Sequence, residues 1–325
     1  MQSWDVSLLF TCERSSSRLP SFSYPVYSPP RKVITVEGAT EAEFYFLSVI
    51  GWNRATVATS GEAESAPLDV CLILDLSLSM VYDTERPGHV WWRTCNRWRD
   101  YPCISELCND GRYCDPLDTK IKPAAKYFVD LLSSQYDRIG LVTYNRDGMQ
   151  VLPLEYDFNV VKNAIDNLDA YEHGGRSTNI GDGIMYGHQS IASEGRMDSI
   201  WAMVLLTDGR ANVYRDCPGC PSDCSALACG EVHEGNHGDA DSEGWAINNA
   251  IDTWHEHEVV IYTIAYGDIF TQDPSYQDLM ILVADITDNG TVEGSTENFW
   301  VAPDEDALII ALEDIAERVF TRLLR

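Results

Sequence analysis

The 325-residue sequence lacks any apolar run as long as the roughly 20 residues that a membrane-spanning helix needs. We therefore expect no membrane span in this chain. The opening MQSWDVSLLF also has neither a basic first part nor an apolar core long enough for a secretory signal. If the protein uses a signal or an anchor, we expect its true start to lie upstream.

Basic residues are scarce. The sequence has 23 Lys and Arg against 51 Asp and Glu, which gives a formal net charge of −28. Such an acidic surface repels nucleic acid phosphates and anionic lipid head groups, so the composition excludes nucleic acid as an expected partner. The same charge raises the local concentration of divalent cations.

Cysteine is not lacking, and eight of the ten cysteines fall in two polar, turn-rich groups. The groups are Cys95, Cys103, Cys108 and Cys114, then Cys217, Cys220, Cys224 and Cys229. Clusters of even number favour disulfide-stapled loops in an oxidising compartment, with the pairing left open. The second group contains a Cys-x-x-Cys half-site, so a structural zinc ion is the alternative there. Cys71 lies in an apolar run, which is typical of a buried thiol.

The segment 68–80 (LDVCLILDLSLSM) is the most informative stretch. Its apolar part predicts a strand that is buried on both faces of a parallel sheet. Asp75, Ser77 and Ser79 follow, and they offer one carboxylate and two hydroxyls on alternate residues. Loops at the carboxyl end of a central strand are where open α/β sheets bind ligands, and hard oxygen donors suit Mg²⁺. The alternative is that Asp75 caps a helix and the serines satisfy the loop backbone.

Two later segments favour the metal site over the cap. The glycine-rich loop 174–183 opens a predicted helix and offers the Thr178 hydroxyl. A second buried strand, 200–207 (IWAMVLLT), ends directly before Asp208. Three loops are therefore expected to meet at one edge of the sheet. The predicted ligands are Asp75, Ser77, Ser79, Thr178 and Asp208.

This ordered combination resembles the von Willebrand factor type A domain, whose metal-ion-dependent adhesion site consists of these elements. The resemblance covers Asp69 to Arg325 and departs at Leu78, where the family usually has glycine. It implies a doubly wound, Rossmann-like α/β fold with a mostly parallel sheet flanked by helices. It also implies a non-enzymatic adhesion module that holds Mg²⁺, or Ca²⁺ or Mn²⁺ in its place. An open coordination position would accept an Asp or Glu carboxylate of a protein ligand.

The expected organisation has three parts. Residues 1–30 are rich in Ser and Pro and indicate an extended segment, and residues 31–67 indicate a small β-rich unit with a linker. Residues 68–325 are expected to form the type A domain, with cysteine-rich insertions at about 81–116 and 210–238. Within the second and third parts, the patterns predict strands at 32–36, 56–60, 138–144 and 200–207, and helices at 44–50, 160–168 and 240–257.

A narrower resemblance concerns the segment before the domain. The run VITVEGATEAEFYFLSVIGWNRATVATSGEA and the tail FWVAPDEDALIIALEDIAERVFTRLLR are similar to those of TadG-like proteins of bacterial tight-adherence (Tad/Flp) pilus systems. Those proteins typically carry an N-terminal membrane helix, which this chain does not contain. The resemblance implies an extracellular or cell-surface location and partners among pilus or surface components.

Both insertions leave the carboxyl edge of the sheet, so they are expected to surround the metal. The first is rich in Trp, Tyr and Arg, the residue types that dominate interface hot spots. The alternative is that these aromatic residues pack a disulfide-held loop. The candidate ligand contacts are Trp91, Trp92, Arg93, Arg97 and Trp98.

An alternative function is a secreted zinc-dependent hydrolase that uses the second insertion. His233-Glu234-Gly235-Asn236-His237 matches the H-E-x-x-H pattern, which needs a helix to bring both imidazoles to one face. Glycines interrupt this segment, so the pattern argues against a helix. His255-Glu256-His257 is interpreted as a solvated helix end rather than a ligand set.

Overall fold

The structure is a computed structural model that describes residues 32–43, 54–81, 117–169, 177–215, 232–234, 240–267 and 269–321. The segment 1–30, both cysteine groups and all five candidate ligand contacts lie outside these residues. Across the described ranges, no helix combines the length and the apolar character that crossing a bilayer requires.

An antiparallel hairpin precedes the main sheet. Its strands β1 (Lys32–Glu43) and β2 (Arg54–Ser65) pair in continuous register, with Lys32 opposite Ser65. The sequence predicts strands at both places, and the structure makes each of them longer. The helix that the sequence suggests at 44–50 lies outside the described residues.

The main sheet has six strands in the described part of the chain. In chain order the further strands are β3 (Leu68–Asp75), β4 (Arg138–Tyr144), β5 (Gly148–Glu155), β6 (Ile200–Thr207), β7 (Val213–Arg215), β8 (Val232–Glu234), β9 (Val260–Tyr266) and β10 (Phe299–Ala302). The spatial order in the main sheet is β10-β9-β6-β3-β4-β5. All its neighbours are parallel except the edge strand β5, which runs antiparallel to β4. The strands β7 and β8 form a separate antiparallel pair.

Helices cover both faces of this sheet. The described residues form α1 (Lys122–Leu131), α2 (Phe158–Asp166), α3 (Ile180–Glu194), α4 (Ala240–His257), α5 (Ile269–Gln272), α6 (Asp278–Asn289) and α7 (Glu305–Thr321). The helices α1, α2 and α7 bury their apolar sides in one core, and α3, α4 and α6 bury theirs in another. This arrangement confirms the predicted doubly wound α/β fold.

Strand β3 belongs to both cores because successive side chains of a strand point to opposite faces. Val70, Leu72 and Leu74 enter the first core, whereas Cys71 and Ile73 enter the second. Cys71 is a free, fully buried cysteine, as the sequence predicts, and burial raises the pKa of its thiol. The central position of β3 fixes where its carboxyl end, and hence Asp75, lies.

Gly290 provides a test of how tightly the second helical layer packs. It ends α6 with a φ of 78°, and a Cβ there would lie 2.3 Å from Nε1 of the Trp254 indole. Gly290→Ala therefore forces an alanine into the left-handed backbone conformation and also brings its Cβ into a clash with the rigid Trp254 ring. We expect a loss of about 2–4 kcal/mol in the free energy of unfolding, measured by urea denaturation.

The matched control is Gly294→Ala. Gly294 has the same φ of 78°, but nothing lies within 4 Å of its Cβ position. The loss in the free energy of unfolding of this variant therefore measures the backbone strain alone, which is about 1–2 kcal/mol. Equal losses in the two variants would show that Trp254 does not press on Gly290.

Candidate metal centre

The predicted ligands lie where the strand order of the sheet reverses. Strand β3 leads to α1 on one face, whereas its neighbour β6 leads to α4 on the other. Their connections diverge and leave a crevice at the carboxyl edge, which is where open α/β sheets bind ligands. Asp75 is the last residue of β3, and Asp208 directly follows β6.

A tight turn after β3 brings its polar side chains together. The Ser77 backbone N–H donates to Asp75 Oδ1 at 2.7 Å, and the Met80 N–H donates to the Ser77 carbonyl at 3.0 Å. The second bond belongs to a short 3₁₀ turn over Leu78–Val81. As a result, the hydroxyl oxygens of Ser77 and Ser79 lie 2.8 Å apart.

Two side-chain hydrogen bonds join this turn to the end of β6. The Ser79 hydroxyl donates to Asp208 Oδ1 at 2.6 Å, and the Thr207 hydroxyl donates to Asp75 Oδ2 at 2.7 Å. The two carboxylates are thus held close together although 132 residues separate Asp75 from Thr207. The sequence analysis did not identify Thr207, although a hydroxyl directly before Asp208 at the strand end was a usable signal.

Thr178 is held beside the same loop by a side chain that the sequence analysis missed. Asn212 Oδ1 accepts from the Thr178 backbone N–H at 2.6 Å, and the Asn212 N–H donates to the Thr178 carbonyl at 3.1 Å. A Cβ placed on Gly209 would lie 3.6 Å from Thr178 Oγ1 and 3.8 Å from Ser79 Oγ. The third predicted hydroxyl therefore lies next to the other two loops.

The start of α3 is fixed by Asn179. Its side-chain oxygen accepts from the Asp182 N–H at 3.0 Å, and its own N–H donates to the Asn145 carbonyl at 2.7 Å. The buried carboxylate of Asp182 is already compensated, because Arg215 Nε lies 2.8 Å and Trp245 Nε1 lies 3.0 Å from its Oδ1. Asp182 thus differs from the two carboxylates at the crevice in having its charge balanced by an arginine.

Asp75 and Asp208 are buried acids whose hydrogen-bond donors are neutral. Burial raises the pKa of Asp75 to about 6. Burial, together with the nearby charge of Asp75, raises the pKa of Asp208 well above its usual value. Asp208 Oδ2 is buried and has no hydrogen-bond partner among the described residues. A buried carboxylate oxygen without a partner is costly unless a cation compensates it.

The side chains present therefore fit a small, hard cation. They combine two carboxylates with three hydroxyls, and one carboxylate oxygen still lacks a partner. Oxygen ligands with few charges among them suit Mg²⁺, and Ca²⁺ or Mn²⁺ accept the same donor type.

The second insertion is described only in part. His233 and Glu234 lie in β8, where the His233 ring stacks on the Tyr214 ring with centroids 5.5 Å apart. Because this segment forms a strand, it lacks the helix that the zinc-protease pattern requires. His237 lies outside the described residues.

The family model described as von Willebrand factor type A domain matches residues 115–299, a range that contains Thr178 and Asp208. The match begins after Asp75, Ser77 and Ser79, which precede it in the sequence. A search of curated protein sequences finds no significant match.

Solved structures include two pilus proteins with a similar fold. The PilB minor pilin from Streptococcus sanguinis is 14% identical with a TM-score of 0.55, over 90% of this chain and 79% of that chain. A point-mutant structure of that pilin gives 16% identity and a TM-score of 0.56, over 84% and 71%. The pilus adhesin SpaC from Lactobacillus rhamnosus GG, in an open conformation, is 11% identical with a TM-score of 0.53. That match covers 92% of this chain and 35% of the SpaC chain. At these identities the comparison shows a common fold.

Proposed function

Since this chain belongs to the von Willebrand factor type A domain family, we propose that it is a metal-dependent protein-binding module rather than an enzyme. The observation that carries the proposal is the buried Asp208 Oδ2, which has no hydrogen-bond partner in the described part of the chain. It lies beside a second buried carboxylate and a set of hydroxyls. A cation bound there would compensate the charge of both carboxylates.

The residues that hold the ion are Asp75, Ser77, Ser79, Thr178 and Asp208. When bound there, Mg²⁺ would offer an electrophilic position to an Asp or Glu carboxylate of a partner protein. Ser77 and Ser79 orient their oxygens through the tight turn, and Asn212 positions Thr178. The low dielectric around these buried groups strengthens the attraction for an incoming anion.

We assign the protein to an extracellular or cell-surface location, with pilus or surface components as partners. Support comes from the similarity to a minor pilin and a pilus adhesin, and from the resemblance of the segment 33–63 to TadG-like proteins. The organisation proposed is an N-terminal segment, the β hairpin unit and a domain with two disulfide-stapled insertions. The disulfides belong to this proposal, since the eight clustered cysteines lie outside the described residues.

The proposal is tested by retention of surface proteins on the immobilised chain. Extracts of pilus and surface components are passed over wild type and Asp75→Ala, with Mg²⁺ or with EDTA. We expect retention only by wild type with Mg²⁺, because the variant lacks a charged ligand and EDTA removes the ion. Circular dichroism checks that the variant keeps its fold.

The matched control is Asp198→Asn, which removes an exposed carboxylate just before β6, at the opposite end of that strand from Asp208. This variant should retain partners as wild type does. Retention that persists in EDTA, or in Asp75→Ala, would reject a metal-dependent mechanism.

A further inference from the structure

A second group of metal-ligating side chains lies between α3 and α4. His188 on α3 meets Glu256 and His257, the last two residues of α4. His188 Nε2 lies 2.7 Å from His257 Nδ1, and Glu256 Oε2 lies 3.7 Å from the first nitrogen and 4.0 Å from the second. Among the described residues, this is the one group of three or more His, Cys, Asp or Glu with ligand atoms within 4.8 Å of one another.

This group is distant from the crevice that contains Asp208. The His257 ring lies beside Trp201, with centroids 5.6 Å apart. Trp201 is the second residue of β6, whereas Asp208 follows the last residue of that strand. The two groups are therefore at opposite edges of the sheet, and each can be altered without touching the other.

His188 is the most buried member of this group. Its side chain is 12% exposed, whereas those of His257 and Glu256 are 33% and 60% exposed. Burial, together with the neighbouring His257, lowers the pKa of His188 to about 4. The two more exposed residues leave the group open to solvent, so an ion can reach the buried imidazole.

We propose that His188, Glu256 and His257 bind one transition-metal ion of the Zn²⁺ class. Two imidazole nitrogens and one carboxylate oxygen are typical Zn²⁺ ligands, whereas Mg²⁺ prefers oxygen alone. Three protein ligands leave a fourth tetrahedral position for water. The sequence analysis missed this site because His188 is far from His257 in the chain, and only the packing of α3 on α4 brings them together.

Binding requires a small change at the pair of rings. Tetrahedral ligands at about 2.0–2.1 Å from zinc lie about 3.3 Å apart, so the two nitrogens must separate by roughly 0.6 Å. His257 can move because it ends its helix and is partly exposed. One of these two nitrogens carries the proton of the hydrogen bond between them, so metal binding would require that ring to move its proton to its other nitrogen. With protons on His188 Nδ1 and His257 Nε2, the hydrogen bond is replaced by two bonds to the metal.

The ion would join α3 to the end of α4. A ligand that binds only the folded state stabilises it, so Zn²⁺ is expected to raise the thermal midpoint of wild type. This effect does not depend on partner binding at the other edge of the sheet. The proposal therefore stands or falls separately from the proposed function.

The experiment measures Zn²⁺ bound to the full chain by equilibrium dialysis in excess Mg²⁺, which occupies an all-oxygen site. Zinc held by the cysteine-rich segments is common to all variants, so the result is a difference between proteins. We expect His257→Ala and His188→Ala to lose one Zn²⁺ equivalent and the zinc-induced rise in thermal midpoint. Glu256→Gln should weaken binding at that site by about tenfold or more.

His255→Ala is the matched control, since His255 is an exposed histidine on the same helix outside the group. It should bind zinc as wild type does. Equal zinc stoichiometry and equal thermal shifts in wild type, His255→Ala and His257→Ala would overturn the proposal. Because His257 is partly exposed, its variant decides the question even if His188→Ala fails to fold.

Discussion

Replacing Asp208 with Asn is expected to remove most Mg²⁺ binding at the candidate metal centre and to stabilise the metal-free protein at the same time. Asp208 is buried beside Asp75, and its Oδ2 has no hydrogen-bond partner among the described residues. The amide keeps the shape and the acceptor for Ser79 but removes the charge. We expect a gain of about 1–2 kcal/mol in the free energy of unfolding without metal, because a buried, uncompensated charge is removed.

The measurement is urea denaturation with and without Mg²⁺, together with Mn²⁺ binding followed by electron paramagnetic resonance. Wild type should gain stability from Mg²⁺ by linkage, whereas Asp208→Asn should not respond. Its affinity for Mn²⁺ should fall by about 100-fold or more. Asp198→Asn, which changes an exposed carboxylate, should match wild type in both measurements. A variant that binds Mn²⁺ normally, or that loses stability without metal, would contradict the assignment of Asp208.

Removing Asp69 should have the largest effect on stability. Its carboxylate is fully buried at the amino end of β3 and accepts from Arg138 at 2.8 Å, from Arg196 at 2.7 Å and from Ser199 at 2.6 Å. Asp69→Ala leaves two partly buried guanidinium groups without this anion. We expect a loss of about 3–5 kcal/mol in the free energy of unfolding, measured by urea denaturation.

The same carboxylate predicts an acid-dependent loss of stability. Burial acts to raise the pKa of Asp69, but the hydrogen bonds from Arg138 and Arg196 outweigh it and lower the pKa below the usual 3.8. The ionised group therefore contributes stability above pH 3.8, and this contribution is lost as the pH falls further through the folded-state pKa.

Asp69→Asn is the control for that dependence, because it cannot titrate and keeps a similar shape. Its free energy of unfolding should fall less steeply than that of wild type below pH 4. If the free energy of unfolding falls equally steeply below pH 4 in wild type and Asp69→Asn, a group other than Asp69 dominates acid unfolding.

The sequence predicts the central strands well because buried parallel strands are short, continuous apolar runs. The bounds of β4 and β6 match the predicted ones, and α4 also matches. Where the observed bounds differ from the predicted ones, local hydrogen bonds determine where the element begins. Asp157, for example, accepts from the Asn159 N–H and starts α2 at Phe158, two residues before the predicted start. The hairpin of β7 and β8 was not predicted, since each strand has three residues and little apolar pattern.

The candidate metal centre is predictable because the loops after β3 and β6 carry unusual polar residues directly after apolar runs. The residues that orient this centre are not predictable from the sequence, since no pattern distinguishes Thr207 and Asn212 from other polar residues. Their roles depend on distances between separate loops. The ion pairs of Asp69 could not be predicted for the same reason, because Arg138 and Arg196 approach it only in the folded chain.

The short connection between the β hairpin and the main sheet has a mechanical consequence. Only Ala66 and Pro67 separate β2 from β3, so tension on the hairpin passes directly into the central strand. Strand β3 has parallel neighbours on both sides, and pulling along it loads two rows of backbone hydrogen bonds in shear. The rows break together rather than one bond at a time. Strand β3, which ends at Asp75, is thus held by both of its neighbours against a force that enters through the hairpin.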